Sequence, residues 1–148
     1  MMHDVIVDID GTIADNSHRV HHIRKSPKDW KSYEKGVMGD EPHFDIIYIL
    51  ESLKASGSKL VLCTGRMENE RDDTINWLRM HYLDFLFDKL YMRPLNDYRS
   101  DDVVKKELLD QIRKDGYNPT IVFEDRQRVV DMWRTEGLRC LQVQPGDF

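Results

Sequence analysis

Residues 4–12 read Asp4-Val5-Ile6-Val7-Asp8-Ile9-Asp10-Gly11-Thr12, and this stretch decides the fold. Val5, Ile6, Val7 and Ile9 are β-branched and apolar whichever way they point. Such a run fits a central strand of a parallel sheet, buried on both faces. The strand ends on Asp8 and Asp10, separated by one residue, and then turns at Gly11. In an open α/β sheet the carboxyl ends of the strands present the ligand-binding groups. Two acids held that close repel each other and lose hydration, so a cation or a proton must offset them.

Outward from this strand, short apolar runs alternate with amphipathic segments, the pattern of βαβ units and a parallel sheet. Further strands are expected at 59–63, 88–92, 120–123 and 138–143. Helices are expected near 43–56, 69–82, 101–115 and 126–136. Their inward residues read as Phe44, Ile47, Leu50 and Leu53; Ile75, Leu78 and Tyr82; Val104, Leu108 and Ile112; and Val129, Val130 and Trp133. The polar stretch 14–42 carries Trp30 and Tyr33 three apart and reads as a small helical cap insert. With no linker in view, residues 1–148 read as a single domain.

A chain of 148 residues sustains one substantial core. Charged residues make up 33% and the net charge is −5, which excludes a strongly basic duplex-clamping surface but leaves room for a local basic groove. Cys63 and Cys140 lie in apolar runs and read as reduced core residues. No segment is apolar enough for a signal peptide or membrane helix, so a cytoplasmic location is expected, without membrane contact. No protein partner is evident, and the oligomeric state is not written in the sequence. His18, His21 and His22 cluster in the cap, but with no cysteine near them and no familiar spacing they read as ordinary polar residues.

The polar clusters fall at strand carboxyl ends or at the start of the next helix, which brings distant residues to one rim. Asp8 and Asp10 follow the first strand; Thr64, Gly65 and Arg66 follow the second. Lys105 lies four residues beyond Asp101 on one helix face, and Glu124-Asp125 follow the fourth strand. Phosphomonoester hydrolysis is the chemistry that needs this set, and it demands on the order of 20 kcal/mol of barrier reduction. Asp8 suits a carboxylate nucleophile acting through an aspartyl-phosphate. Asp10 suits the acid that protonates the leaving alkoxide and later activates water. Mg²⁺ suits the charge between nucleophile and phosphoryl oxygens. Lys105, the Thr64 hydroxyl and backbone N–H groups of 9–11 suit the equatorial oxygens.

Asp8-Ile9-Asp10-Gly11-Thr12, Thr64, Lys105 and Glu124-Asp125 resemble, in order, the four motifs of the haloacid dehalogenase (HAD) phosphatases. With Arg19, Thr64-Gly65-Arg66, residues 99–105, Glu124-Asp125-Arg126, residues 130–134 and the terminal 142–148, the chain is most similar to the 3′-phosphatase domains of bacteriophage-type polynucleotide kinase–phosphatases. That resemblance implies a Rossmann-like three-layer α/β fold with a five-stranded parallel sheet in the order 5-4-1-2-3 and helices on both faces. It implies Asp8 as nucleophile, Asp10 as general acid–base, and Arg19 and Arg66 as substrate contacts, with Asp101 orienting Lys105. Mg²⁺ would be held by Asp8, the Asp10 carbonyl and the strand-four acids. That group usually carries Asp-Asp where this chain has Glu124-Asp125, so Asp125 is expected to be the direct ligand and Glu124 to act through water.

Arg93 and Arg99, on the loop after the third strand, are candidate phosphodiester contacts. Trp30 and Tyr33 could stack a base or form the cap's own core. The substrate implied is a phosphorylated nucleic acid end or nucleotide, with nucleoside monophosphates or other small phosphate esters as the alternative. Nothing matches a G-x-x-x-x-G-K-[ST] loop, so no kinase activity is expected. A silent end-binding module is disfavoured, because binding alone has no use for a nucleophile.

Overall fold

A computed structural model describes residues 2–148. Strand β1 (Asp4–Val7) lies at the centre of a five-stranded parallel sheet. It is flanked by β4 (Leu60–Met67) and β6 (Pro119–Glu124), with β5 (Lys89–Arg93) and β7 (Arg139–Gln142) at the edges. Counting only the sheet's own strands, this is the expected 5-4-1-2-3 order. The register Val5↔Leu60, Ile6↔Val61 and Val7↔Leu62 on one side, and Ile6↔Val122 and Val7↔Phe123 on the other, aligns the strand ends that carry the acids.

Alternation along β1 divides the core into two layers. Val5 and Val7 pack with Leu60, Leu62, Ile47, Leu50, Trp77 and Leu78, beneath α3 (Phe44–Ala55) and α4 (Arg71–Met80). Ile6 points the other way, into Val61, Cys63, Leu109, Ile112, Val129, Val130 and Trp133, beneath α5 (Asp101–Lys114) and α6 (Gln127–Thr135). Both cysteines are buried and free.

Two of the expected inward residues point outward. Phe44 is 70% exposed: it opens α3, and its place in the core is taken by Ile46, Ile47 and Leu50. Tyr82 is 81% exposed because α4 ends at Met80 and Tyr82 takes a left-handed turn (φ 57°); Trp77 supplies the buried aromatic instead. The strand expected at 59–63 runs on to Met67, slipping register against β5 after Thr64, so Thr64-Gly65-Arg66 lies within the strand.

The insert 14–42 is built of short elements. It contains α1 (His21–Arg24), α2 (Trp30–Lys35) and a 3₁₀ turn at Val37–Gly39. An antiparallel pair, β2 (Ala14–Asp15) and β3 (Glu41–Pro42), closes its base. No helix among the described residues is long and apolar enough to cross a membrane.

Candidate active site

The chain leaves β1 with the Asp8 N–H donating to the Phe123 carbonyl at 3.0 Å, which fixes Asp8 at the carboxyl end of the central strand. Lys105, in the second turn of α5, donates to Asp8 Oδ1 at 2.8 Å and to Glu124 Oε2 at 2.9 Å. The Thr12 hydroxyl donates to Asp8 Oδ2 at 3.0 Å, so both Asp8 carboxylate oxygens are oriented. From α6, in the same layer as α5, the buried Trp133 indole donates to Glu124 Oε2 at 3.3 Å. Burial pulls the Lys105 ammonium down, but Asp8 and Glu124 more than reverse this and hold it above its ordinary value.

Asp8, Glu124 and Asp125 bring one carboxylate oxygen each within 4.8 Å of one another, all three side chains buried. Burial, then the charge of Asp8, push the carboxyls of Glu124 and Asp125 upward; Lys105 relieves only part of this. Three acids against one ammonium leave an all-oxygen donor set short of positive charge, which fits a hard divalent cation such as Mg²⁺. Gly11 makes the close approach of Asp125 workable. Its φ of +80° turns the backbone, and a Cβ there would overlap the Asp125 carboxylate.

The Asp10 carboxylate turns away from this cluster. Arg66 grips it with Nε to Oδ2 at 3.0 Å and Nη2 to Oδ1 at 2.7 Å, and Arg19 Nη2 takes Oδ1 at 2.5 Å. Burial alone would push this carboxyl up; Arg66 and then Arg19 outweigh it and hold it well below the usual carboxylate range. Thr74 Oγ1 accepts from Arg66 Nη1, anchoring that guanidinium to α4. Arg19 is anchored in the cap: Asp40 accepts from its Nε and Nη2, and the Tyr33 carbonyl from its Nη1. Asp40 also meets His18 Nε2 at 2.7 Å, while its carbonyl accepts from the Trp77 indole at 2.9 Å. Asp40 is 1% exposed and ties the cap to the core through Arg19. It escaped the sequence reading because Gly39-Asp40-Glu41-Pro42 reads as an ordinary polar turn.

With this geometry in hand, comparison with known proteins is decisive. Residues 2–148 match the family described as the polynucleotide kinase PNKP phosphatase domain. The chain belongs to that family. This PNKP-type phosphatase domain is 30% identical over 131 residues to a protein of Autographa californica nuclear polyhedrosis virus named "Putative bifunctional polynucleotide kinase/RNA ligase". The match covers 88% of the chain and 17% of the viral protein. It is also similar to a chain in the solved structure of a Pnkp1/Rnl/Hen1 complex: TM-score 0.83, 33% identity, 100% of this chain and 47% of that one. The chain thus spans under half the length of the relatives it matches at 30% identity or better. A haloacid dehalogenase-like hydrolase from Streptococcus pneumoniae shares the fold, with TM-score 0.67 at 16% identity over 95% of this chain and 84% of that one. The HAD phosphatase class expected from the motifs is therefore established.

Several expected contacts of the PNKP-type domain fall elsewhere. Asp101 makes no hydrogen bond to Lys105, which Asp8 and Glu124 orient. Its Oδ1 accepts from Arg93 Nη2 at 2.8 Å, and it approaches Gly65 so closely that a Cβ there would overlap it. Arg93 also donates to the carbonyls of Gly65, Asp97 and Arg99, making it a brace for the loop. Arg99 forks between Asp97 and Glu107. Both arginines border the cleft with their guanidiniums already committed. The Gly11 N–H donates to the Ala14 carbonyl at 2.9 Å, which removes it from the set of phosphate donors. Thr64 is fully buried, with Oγ1 accepting the Arg66 N–H at 3.2 Å. Trp30 and Tyr33 do pair edge-to-face at 5.8 Å, but only Tyr33 is buried, and Trp30 faces the cleft.

Proposed function

We propose that this domain hydrolyses terminal 3′-phosphates of nucleic acids through an aspartyl-phosphate on Asp8, with Mg²⁺ as cofactor. The observation that carries the reading is Asp8 itself: a buried carboxylate with one oxygen on Lys105 and the other on Thr12, beside Glu124 and Asp125. Asp8 attacks phosphorus and the sugar oxygen departs with its bonding pair. Asp10 gives that oxygen a proton, then takes one from the water that hydrolyses the acyl phosphate. Lys105 neutralises charge on the nucleophile and on the phosphoryl oxygens. Arg19 and Arg66 can exchange the Asp10 carboxylate for phosphate oxygens, since a guanidinium fork suits either anion. Mg²⁺ held by Asp8, Asp125 and the Asp10 carbonyl, with Glu124 acting through water, would supply the remaining positive charge at the transferring phosphoryl group.

The nucleic acid end as substrate is supported by the family described above and by the viral relative, which is named a putative bifunctional polynucleotide kinase/RNA ligase. The cleft, of about 360 Å³, is large enough for a terminal nucleotide. The test is phosphate release, with Mg²⁺, from a 3′-phosphorylated oligonucleotide, its 5′-phosphorylated isomer and free nucleoside monophosphates. Release from the 3′-phosphorylated oligonucleotide ahead of the others is expected. Release from the small phosphates alone would replace this reading with the small-ester one.

A further inference from the structure

The cations bordering the cleft divide by what already holds them. Arg19 and Arg66 close on Asp10, Arg93 on Asp101 and three carbonyls, and Arg99 on Asp97 and Glu107. Arg126 donates from Nε to the Phe148 carbonyl at 2.8 Å and lies 3.5 Å from Asp101. Two remain. Among the described residues, the salt bridges include neither Lys28, in the cap, nor Arg128, in the first turn of α6. Both are exposed and border the cleft, which Arg126 and Phe148 also line.

These like charges crowd one another. Burial, then Arg126 and Arg128, pull the Lys28 ammonium below its ordinary value. The Arg126 and Arg24 guanidiniums stand 5.0 and 5.7 Å from the Phe148 ring centre, and Lys28 Nζ stands 5.6 Å from that of Trp30, which is 43% exposed. Exposed cations that line one cleft without a carboxylate partner among the described residues form a site for an anion from solution. A chain of net charge −5 that keeps such a group beside an exposed indole has the two parts of a single-strand subsite, a backbone contact and a stacking face.

We propose that Lys28 and Arg128 hold a backbone phosphodiester of the single strand behind the terminal 3′-phosphate, with the adjoining base stacked on Trp30. The subsite rests on the 3′-phosphatase reading and adds that the substrate is a polymer, gripped on the Lys28–Arg128 side and not through Arg93 or Arg99. A mononucleotide has no such phosphodiester and cannot use it.

The test separates the two readings by using a strand without the scissile phosphate. Fluorescence anisotropy would measure binding of a 5′-fluorescein single-stranded oligonucleotide with a 3′-hydroxyl, as DNA and as RNA, over a range of salt. Lys28→Ala with Arg128→Ala should weaken binding ~10-fold or more, and reduce the salt slope by about 0.7 for each lost phosphate contact. Trp30→Ala should weaken binding with the slope unchanged. Hydrolysis of a 3′-nucleoside monophosphate should be the same in all variants. Oligonucleotide affinity and salt slope unmoved by the double substitution would overturn the proposal, as would a wild-type protein that does not bind the strand. Strand binding that obeys these rules, without phosphate release from any 3′-phosphate, would keep the subsite and reject the phosphatase reading.

Discussion

Arg66 and Asp10 face each other across the cleft in a two-point clasp, Nε to Oδ2 at 3.0 Å and Nη2 to Oδ1 at 2.7 Å. The carboxylate assigned to proton transfer is thus held ionised by the guanidinium assigned to phosphate. An anion that draws Arg66 and Arg19 away would raise the proton affinity of Asp10, and in the proposed mechanism this couples proton donation to an occupied site. Arg66→Lys keeps the charge and loses the fork. Its kcat/KM is expected to fall ~10²-fold, the usual effect of losing one oriented transition-state donor. Asp10→Asn should lower kcat by ~10³-fold or more with little change in KM. Steady-state kinetics on a 3′-phosphorylated oligonucleotide reads both.

Asp40 touches no substrate position, yet it fixes Arg19 by two hydrogen bonds and is wholly buried. Asp40→Asn leaves a buried guanidinium short of a counter-charge, a change that costs about 3 kcal/mol. Thermal denaturation should show this loss. The variant should also have a raised KM, because Arg19 is no longer aimed. Arg19→Lys with Asp40 intact should raise KM with a smaller loss of stability, which separates aiming from folding.

Glu70 borders the cleft with its carboxyl pushed up to about 7, first by burial and then by Glu34 of the cap. A raised folded value means that the folded protein holds this proton more tightly than the unfolded chain. Stability from this group is therefore full below pH ~4.3, the unfolded value, and declines as pH rises towards 7. Glu70→Gln mimics the protonated form and keeps an acceptor for the Met67 N–H. It should stabilise the protein by roughly 1 kcal/mol at pH 8 and by almost nothing at pH 4. Chemical denaturation at the two pH values checks the sign.

The acid cluster predicts a metal-linked melting temperature. Mg²⁺ at a hundredfold excess over its Kd should add about 2.7 kcal/mol of stability, removable with EDTA. Asp125→Asn should lose most of this increment and gain some metal-free stability, since one of three crowded acids is gone. An equal Mg²⁺ effect in the variant would place the ion elsewhere.

Much of this architecture was legible in the chain. The β-branched run Val5–Val7 ending on Asp8 located the centre of the sheet, and the other four strands of the five-stranded sheet were found from their apolar runs, whereas the short β2–β3 pair was not. What the sequence withheld were choices made in three dimensions. Phe44 and Tyr82 have the spacing of core residues, but a helix's first residue and a left-handed turn just past its end point away from the sheet. Among the basic residues, type and position give no sign of which carboxylate each will meet: Arg93 closes on Asp101 and Arg99 on Asp97 and Glu107, whereas among the described residues no salt bridge takes Lys28 or Arg128. Asp40 meets Arg19 only because the cap folds back through the β2–β3 pair.

The claim on which the rest depends is that Asp8 carries the phosphoryl group. Acid quenching during turnover of a 3′-³²P-labelled oligonucleotide with Mg²⁺, followed by denaturing electrophoresis, tests it directly. Label should remain on the wild-type protein, be released by hydroxylamine, and be absent from Asp8→Asn, which should also release no phosphate. Phosphate release by Asp8→Asn, or label on a residue other than Asp8, would contradict the account.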